Sequence, residues 1–268
     1  MQPYIGFIGV GHMGSALARA VCISQGGAVL ALSDHDLQKA VALSEELACT
    51  HWDNQTIATH CRILFLGVKP QMMGDMLAQL TPVLAARTEP CLLVSMAAGL
   101  SCARIREMAG VNCPIIRVMP NTPAAVGGGV LLYCGLDATP QQLDDFAQMM
   151  APAGLVDALP EPLIDVATAL SGCGPAFVYL FLEALADGAV ACGLPRDKAL
   201  AYAAQMVEGS ARMVLQSGQH PGILKDAVCS PGGSTIQGVR ALERCGLRSA
   251  VMEAVAAAYD KTVDLGKN

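Results

Sequence analysis

Short apolar runs alternate with stretches of helical periodicity through the first 160 residues or so of the chain. Several of these runs are nearly continuous, as expected for parallel strands that helices cover on both faces. Such alternation is typical of βαβ units and of a doubly wound sheet. The pattern predicts strands at Tyr4–Ile8, Val29–Leu32, Ile63–Val68, Cys91–Ser95, Ile115–Met119, Gly129–Tyr133 and Gly154–Ala158.

The pattern changes after the Pro-Glu-Pro sequence at residues 160–162, beyond which no convincing strand is found. Glycines and prolines stand where helices are expected to start and stop. We therefore predict an α/β Rossmann-type domain over residues 1–160 and an all-α domain over residues 161–268. Helical periodicity is found at Val166–Ala169, Pro175–Cys192, Arg196–Gln216, Thr235–Arg244 and Arg248–Val263.

The first predicted strand runs directly into a G-x-G-x-x-G loop, and a helix over Ser15–Cys22 follows at once. A dinucleotide pyrophosphate needs a tight turn at Gly9, a bare backbone at Gly11 and close helix packing at Gly14. The start of the helix then offers unpaired N–H groups to the phosphates. The sequence predicts a dinucleotide site, and a merely tight turn is the alternative.

The second predicted strand ends close to where the adenosine ribose of a dinucleotide is bound. Asp34 there would accept a hydrogen bond from a 2′-hydroxyl and repel a 2′-phosphate. Ser33 with His35 could instead bind the phosphate. The residues leave the choice between NADH and NADPH open.

Three further strand ends carry candidate cofactor contacts, because ligands of an open parallel sheet lie beyond the carboxyl ends of its strands. Lys69 could hydrogen-bond a ribose or be a solvated surface lysine. The small residues around Ala97 leave space beside the nicotinamide. Two prolines stiffen the loop around Asn121 and point its amide at the cleft. The predicted cofactor residues are Gly9, Gly11, His12, Met13, Gly14, Ser33, Asp34, Val68, Lys69, Pro70, Ala97 and Asn121.

A second glycine loop, residues 230–235, stands immediately before a predicted helix. Its glycines allow backbone N–H groups to converge, and Ser234 or Thr235 is expected to cap the helix. The helix dipole favours a carboxylate or a phosphate at this position. A capped helix without a ligand is the alternative.

Composition limits the partners and the compartment. A net charge of −6 without a basic stripe argues against nucleic acid. Eleven cysteines without metal-ligand spacing predict reduced thiols in a reducing cytosol and no metal site. A first strand at Tyr4 leaves no room for a signal peptide, and Val166–Leu182 is too short and too broken to span a bilayer. We expect a soluble, cytoplasmic protein without a membrane partner.

The helices after residue 160 are rich in Ala and Leu and poor in charge, so they have more apolar surface than a domain of this size can bury. This excess predicts an oligomer interface. A helical bundle closed on itself is the alternative.

Six segments together resemble the pyrroline-5-carboxylate reductase family over nearly the whole length of the chain. The most specific is LKDAVCSPGGSTIQGVRALE at residues 224–243. One departure is Cys173, where the family usually has serine, a change from one small residue to another. The other segments are GFIGVGHMG (6–14), FLGVKP (65–70), SMAAG (95–99), MPNTP (119–123) and SGCGPAF (171–177).

The resemblance implies a Rossmann domain and a helical dimerisation domain, with dimers assembled into larger rings such as a decamer. It implies hydride transfer from NADPH or NADH to the C5=N1 imine of 1-pyrroline-5-carboxylate, giving L-proline in the last step of proline biosynthesis. Asn121 would lie near the nicotinamide ribose, and Thr235, the candidate catalytic residue, near the ring nitrogen. The implied substrate-binding residues are Ser230, Gly233, Ser234 and Thr235.

Two other functions are compatible with a Rossmann domain followed by helices. A two-domain hydroxyacid dehydrogenase would have a catalytic lysine early in the helix after residue 174, and residues 175–180 contain none. A sensor of dinucleotides without turnover would not need the loop at 230–235. Both alternatives are therefore weaker than a reductase.

Overall fold

The computed structural model describes residues 2–265, in which eight strands form one sheet. The predicted strands are all present, and one short edge strand, β3, was not predicted. The strands are β1 (Ile5–Ile8), β2 (Leu30–Ser33), β3 (Thr50–His51), β4 (Ile63–Leu66), β5 (Leu92–Ser95), β6 (Ile115–Met119), β7 (Gly129–Leu136) and β8 (Gly154–Ala158).

The strand order is β3-β2-β1-β4-β5-β6-β7-β8, and β1 to β6 are all parallel. This confirms the predicted doubly wound sheet. β7 instead runs antiparallel to β6, and β8 is parallel to β7. Only residues 120–128 connect β6 to β7, fewer than the dozen or so that a parallel crossover requires.

Six helices accompany the sheet strands along the chain, and six more follow β8. The helices are α1 (His12–Gln25), α2 (Leu37–Glu46), α3 (Asn54–His60), α4 (Pro70–Ala85), α5 (Cys102–Ala109), α6 (Pro140–Met150), α7 (Glu161–Ser171), α8 (Gly174–Ala191), α9 (Arg196–Ser217), α10 (Pro221–Ala227), α11 (Ser234–Arg244) and α12 (Leu247–Leu265). α7 is longer than predicted, and α10 was not predicted.

The sheet has a hydrophobic core on each face, as expected when helices cover both sides. Phe7 and Phe65 stack with ring centroids 4.2 Å apart in one core, which also contains Leu17 of α1. Leu64 and Leu77 belong to the other core. All five side chains are fully buried. The carboxyl ends of β1, β2 and β4 are thereby held side by side.

Contacts divide the chain into two compact units, Met1–Cys173 with Ala258–Asn268, and Gly174–Ala257. α7 groups with the sheet because it packs on β7. The sequence pattern instead changes near residue 160, and the domain boundary there stays a prediction.

The helices within residues 174–257 bury few of their own side chains. Only Ala186, Ala199 and Ala203 are buried there, whereas Leu180 and Met213 are 66% and 55% exposed. A bundle closed on itself would bury its large apolar side chains. The apolar surface of these helices therefore requires a partner.

The stretch Glu161–Ala191 is by length and composition able to cross a membrane, with a mean hydropathy of 1.5 over an 18-residue window that is 11% buried. The expectation that this region is too short is wrong, whereas the expected break is present as a turn at Gly172 and Cys173 between α7 and α8. Length and apolarity of one helix are weak signs of a membrane span. A helix that pairs with another copy of the chain has the same character.

Candidate dinucleotide and substrate sites

Two glycines of the first loop are required by the protein's own packing. Gly9 has φ +97°, and a Cβ there would lie 2.7 Å from the backbone of Gly67. A Cβ at Gly14 would lie 2.1 Å from the carbonyl oxygen of Gly9. A Cβ on Gly11 would meet no atom within 4 Å. The loop is therefore packed on its inner side and open at Gly11.

The start of α1 has the features of an anion site. Its N-cap is Gly11, no side chain caps the helix, and no acidic residue stands in the first turn. His12 is exposed and Met13 half-buried at this end. The first N–H groups of the helix, which are normally capped, can therefore bind phosphate oxygens.

Asp34 binds the glycine loop itself. Its Oδ2 accepts a hydrogen bond of 2.8 Å from the N–H of Val10, and its Oδ1 accepts one of 2.9 Å from the N–H of Asp36. His35 Nδ1 lies 2.9 Å from the same Oδ1, and the Asp34 side chain is only 7% exposed. The carboxylate thus holds β2 against the loop after β1.

The other two candidates at this strand end differ in accessibility. The hydroxyl of Ser33 is buried and donates to Asn54 Oδ1 at 2.7 Å. His35 is 82% exposed. Lys39, one turn into α2, is also exposed and pairs with Asp36 at 3.3 Å. The most exposed polar side chains at this strand end are therefore His35 and Lys39, each beside an aspartate.

A cavity of about 900 Å³ opens along the carboxyl ends of β1, β2 and β4. It brings together Gly9, Gly11, Ser33, Asp34, Val68 and Lys69 of the predicted cofactor residues. The sequence did not predict the wall of the cavity at and after β3, because this two-residue strand gave no periodic signal. The lining residues that it missed are Leu37, Lys39, His51, Asp53, Asn54, Gln55, Met72, Asp75, Met76 and Gln79.

The start of α4 forms one lip of this cavity. Lys69 is the N-cap residue, Pro70 stands in the first turn, and Val68 is half-buried behind them. Proline suits this position because it has no N–H to leave unpaired. Lys69 is exposed and makes no ion pair with any of residues 2–265. Its ammonium group is available to a ligand.

Asn121 does not point its amide at a cleft, and that expectation is wrong. Its Nδ2 donates to the carbonyl oxygen of Ser171 at 2.9 Å, and its Oδ1 accepts from the N–H of Val130 at 2.9 Å. The residue is buried and ties the loop after β6 to the end of α7. Ala97, after β5, is buried too, and its N–H is bonded to Ser95 Oγ at 3.2 Å.

Burial also explains the state of the core thiols. It raises the pKa of Cys61 to about 12 and the pKa of Cys113 to about 11. The thiolate form of each would lose its hydration, and this loss outweighs the attraction of Arg87 for Cys61 and of Arg106 for Cys113. These thiols are therefore neutral and unreactive at neutral pH.

The second glycine loop leaves the start of α11 uncapped. The N-cap is Gly233, no side chain caps the helix, and α11 begins at Ser234. The expectation that Ser234 or Thr235 caps this helix is therefore wrong. Both residues are exposed, as is Ser230. Three hydroxyl groups and the free N–H groups of the first turn are accessible together.

The geometry of the turn requires glycine at two positions of this loop. Gly232 has φ +70°, which an L side chain rarely adopts. The N–H of Gly233 donates to the carbonyl oxygen of Ser230 at 3.0 Å. A Cβ on Gly233 would lie 2.4 Å from Ser230 Oγ. The turn therefore holds the Ser230 hydroxyl close to the uncapped helix start.

These two glycine loops, with the doubly wound sheet, define an NAD(P)-dependent oxidoreductase of the Rossmann type. The family model described as NADP oxidoreductase coenzyme F420-dependent matches residues 4–99. The model described as pyrroline-5-carboxylate reductase dimerisation matches residues 161–265.

Curated relatives agree with both matches over the full length. Pyrroline-5-carboxylate reductase of Glycine max is 42% identical, over 97% of this chain and 95% of the relative. That of Escherichia coli (strain K12) is 39% identical over 100% of both chains. The crystal structure of Plasmodium falciparum pyrroline carboxylate reductase with NADP bound has a TM-score of 0.85, with 34% identity over 98% of each chain. The chain belongs to the pyrroline-5-carboxylate reductase family.

Membership confirms the predicted family, its fold class and its dependence on NAD(P). It also explains the exposed apolar helices, since the dimerisation model covers α7 to α12. The chain therefore self-associates and acts on a small molecule.

Proposed function

We propose that the chain reduces 1-pyrroline-5-carboxylate to L-proline with a hydride from NADPH or NADH, the last step of proline biosynthesis. The observation that carries this proposal is the presence of two uncapped helix starts, each behind a glycine loop. One suits a diphosphate and the other a carboxylate. The names of the relatives support this substrate.

The residues of the first site fit a dinucleotide. The open side of Gly11 and the uncapped start of α1 would hold the diphosphate, and Lys69 would reach a ribose. The rest of this loop would be formed by Gly9, His12, Met13 and Gly14. When bound, the cofactor supplies the hydride.

The substrate needs positioning more than activation, because an imine carbon is already electrophilic. The N–H groups of Ser234 and Thr235, in the first turn behind the N-cap Gly233, would bind the carboxylate, with the hydroxyls of Ser230 and Ser234 beside it. Thr235 would lie near the ring nitrogen and relay a proton to it. Water and an iminium that is already protonated are the other two proton sources, since a threonine hydroxyl is not acidic near neutral pH.

Thr235→Ala tests this assignment. We expect kcat to fall about 100-fold, because a hydrogen-bonding group at the reacting nitrogen is removed. The dissociation constant of NADPH, measured by fluorescence, should not change, and Thr235→Ser should recover most of the activity. Thr59→Ala, at an exposed threonine of α3, is the control. Full activity of Thr235→Ala would contradict the proposal.

The cofactor that we propose is NADPH rather than NADH. The Asp34 carboxylate already accepts from two backbone N–H groups, which leaves fewer of its acceptor sites for the 2′-hydroxyl of NADH. The exposed His35 and Lys39 lie on the same cavity and can bind a 2′-phosphate.

Titrations of both reduced cofactors into the His35→Ala/Lys39→Ala variant test this preference. We expect NADPH binding to weaken about 10-fold, the loss of one or two charge-assisted contacts, and NADH binding to stay unchanged. Gln38→Ala, at an exposed position between them, is the control. Equal losses for the two cofactors would contradict the assignment.

We also propose that each active site combines residues of two protomers and that dimers assemble into a ring such as a decamer. Mixed dimers of Gly14→Val and Thr235→Ala chains would then contain one site free of both substitutions and regain activity. Inactive mixed dimers would contradict the shared site. We also propose a cytoplasmic enzyme without nucleic-acid or membrane partners, which the free cysteines and the acidic net charge support.

A further inference from the structure

Three potential metal ligands from three different elements lie close together at β7, outside the two sites described above. Cys102 is the first residue of α5, Cys134 lies in β7, and Glu161 is the first residue of α7. The two Sγ atoms are 3.9 Å apart, and a carboxylate oxygen of Glu161 lies within 4.8 Å of both. Both cysteines are buried, and the Glu161 side chain is one-third exposed.

Charged groups surround this cluster. Arg117 of β6 is opposite Cys134 in the sheet, and its guanidinium is 3.6 Å from Glu161 and 2.5 Å from Asp165. The Arg117 side chain is only 3% exposed. The N–H of Cys102 donates to the Glu161 carboxylate at 2.7 Å, which orients it. One cation therefore stands beside two carboxylates and two thiols.

We propose that Cys102, Cys134 and Glu161 bind one Zn²⁺ ion, with water as the fourth ligand. Tetrahedral zinc with Zn–S bonds of about 2.3 Å places two sulfur atoms about 3.8 Å apart. The sulfur atoms of this chain already have that separation. Glu161 is the only ligand with an exposed edge, so the water binds on its side. Two thiolates favour zinc over magnesium or calcium.

Binding of zinc leaves the net charge of the cluster unchanged. The two thiols each release a proton as the ion enters, and two Zn–S bonds replace two S–H bonds. One doubly charged cation thus replaces two protons, and no oxidant or reductant takes part. The backbone N–H on Glu161 acts as the outer partner that ligating carboxylates usually have.

Bound zinc would cross-link the starts of α5 and α7 to β7, all within the unit that contains the sheet. None of the three ligands lines the dinucleotide cavity or belongs to the loop at 230–235. The inference is therefore independent of the substrate and the cofactor. Sequence spacing gave no sign of it because 31 and 26 residues separate successive ligands (102–134 and 134–161).

The experiment uses the full-length chain with the exposed thiols removed as Cys192→Ser/Cys245→Ser, so that they do not bind zinc. The protein is stripped with a chelator under reducing conditions, titrated with zinc sulfate and passed through a desalting column. Elemental analysis then gives the zinc bound per chain. We expect one equivalent, together with a rise in Tm on adding zinc.

In the same background, Cys134→Ser should lower zinc affinity at least 10-fold, remove the zinc-dependent rise in Tm and release fewer protons. Glu161→Gln, which keeps the shape of the side chain, should also weaken binding about 10-fold. Cys113→Ser, at a buried cysteine outside the cluster, is the control and should keep full binding.

Cobalt gives a second readout that does not depend on stability. Co²⁺ bound by two thiolates shows a sulfur-to-cobalt charge-transfer absorption, which Cys134→Ser should abolish and Cys113→Ser should keep. Zinc retained by Cys134→Ser, zinc lost equally by Cys113→Ser, or zinc bound only when Cys192 and Cys245 are present would each overturn the proposal.

Discussion

The two glycine loops of this chain differ in what their glycines contact. In the first loop, added Cβ atoms on Gly9 and Gly14 would collide with backbone. In the second loop, Gly232 also has a positive φ, yet a Cβ there would meet nothing within 4 Å. The first loop is therefore shaped by packing within its own unit. The second is shaped by its turn alone and is left open.

The same difference extends to the helices around each loop. α1 buries Leu17 and Val21 against the sheet, whereas α11 buries no residue completely. A region with its own core keeps its conformation unaided, and a region without one depends on association. The first loop therefore has its packed environment within the chain itself, whereas we expect the loop at 230–235 to depend on self-association for its environment.

The largest expected effect is on association of the helical half. Leu180→Asp places a charge on the apolar surface of α8, where Leu180 is 66% exposed in the single chain. We expect the dimer to weaken by about 4 kcal/mol, roughly 1000-fold, because an unpaired carboxylate would be buried. Analytical ultracentrifugation measures this directly, and activity should fall with the dimer.

The matched control for that change is Gln219→Asp, which adds the same charge at an exposed polar position after α9. It should leave association unchanged. A dimer of Leu180→Asp as tight as the unmodified one would show that this face of α8 stays in water, and the contrast between the two halves would be lost.

The sequence predicted most of the first half because local signals agree there. Apolar runs marked its strands, and the spacing of Gly9, Gly11 and Gly14 marked its loop. The hydrogen bonds of Asp34 and Asn121 were not predicted because their partners are remote: Val10 is 24 residues away and Ser171 is 50. A single sequence shows which polar side chains stand at a strand end, and only the folded chain shows which of them are already bonded.

Strands were also predictable from the sequence only where local signals marked them. β1, β2, β4, β5 and β6 were predictable because apolar runs and crossover helices alternate over them. The direction of β7 depended on the short connection over residues 120–128, and β3 was too short to show a period. At α11, the N-cap proved to be Gly233 rather than a hydroxyl residue. Its hydroxyls are therefore free for a ligand, which strengthens the proposed substrate site.

The second prediction compares how tightly each of the two glycine loops is packed. Gly9→Ala should lower the free energy of unfolding by about 3 kcal/mol, since it combines a positive φ with a backbone collision. Gly232→Ala should cost about 1 kcal/mol, because only the φ is unfavourable. Urea denaturation of the two variants gives both values. Equal costs would mean that the loops are packed alike.

The smallest expected effect is on the stability that helix caps provide, which differs between the two halves of the chain. Asp53 is the N-cap of α3, and its Oδ1 accepts from the N–H of Thr56 at 2.7 Å. Asp53→Ala should cost about 1 kcal/mol of stability near pH 7. Ser234→Ala should cost almost none, since no side chain caps α11. Chemical denaturation measures both, and a cost for Ser234→Ala as large as that for Asp53→Ala would remove this distinction.

The pH dependence of the stability lost in Asp53→Ala tests whether the ionised carboxylate of Asp53 caps the helix. The Thr56 N–H holds the pKa of Asp53 below its ordinary value of 3.8. A carboxyl whose pKa is lowered on folding contributes stability above its ordinary pKa and loses it as the pH falls through the lowered value. The difference between the unmodified chain and Asp53→Ala should therefore be constant near neutral pH and shrink below about pH 4. A difference that persists at low pH would show that Asp53 stabilises α3 by something other than its ionised cap.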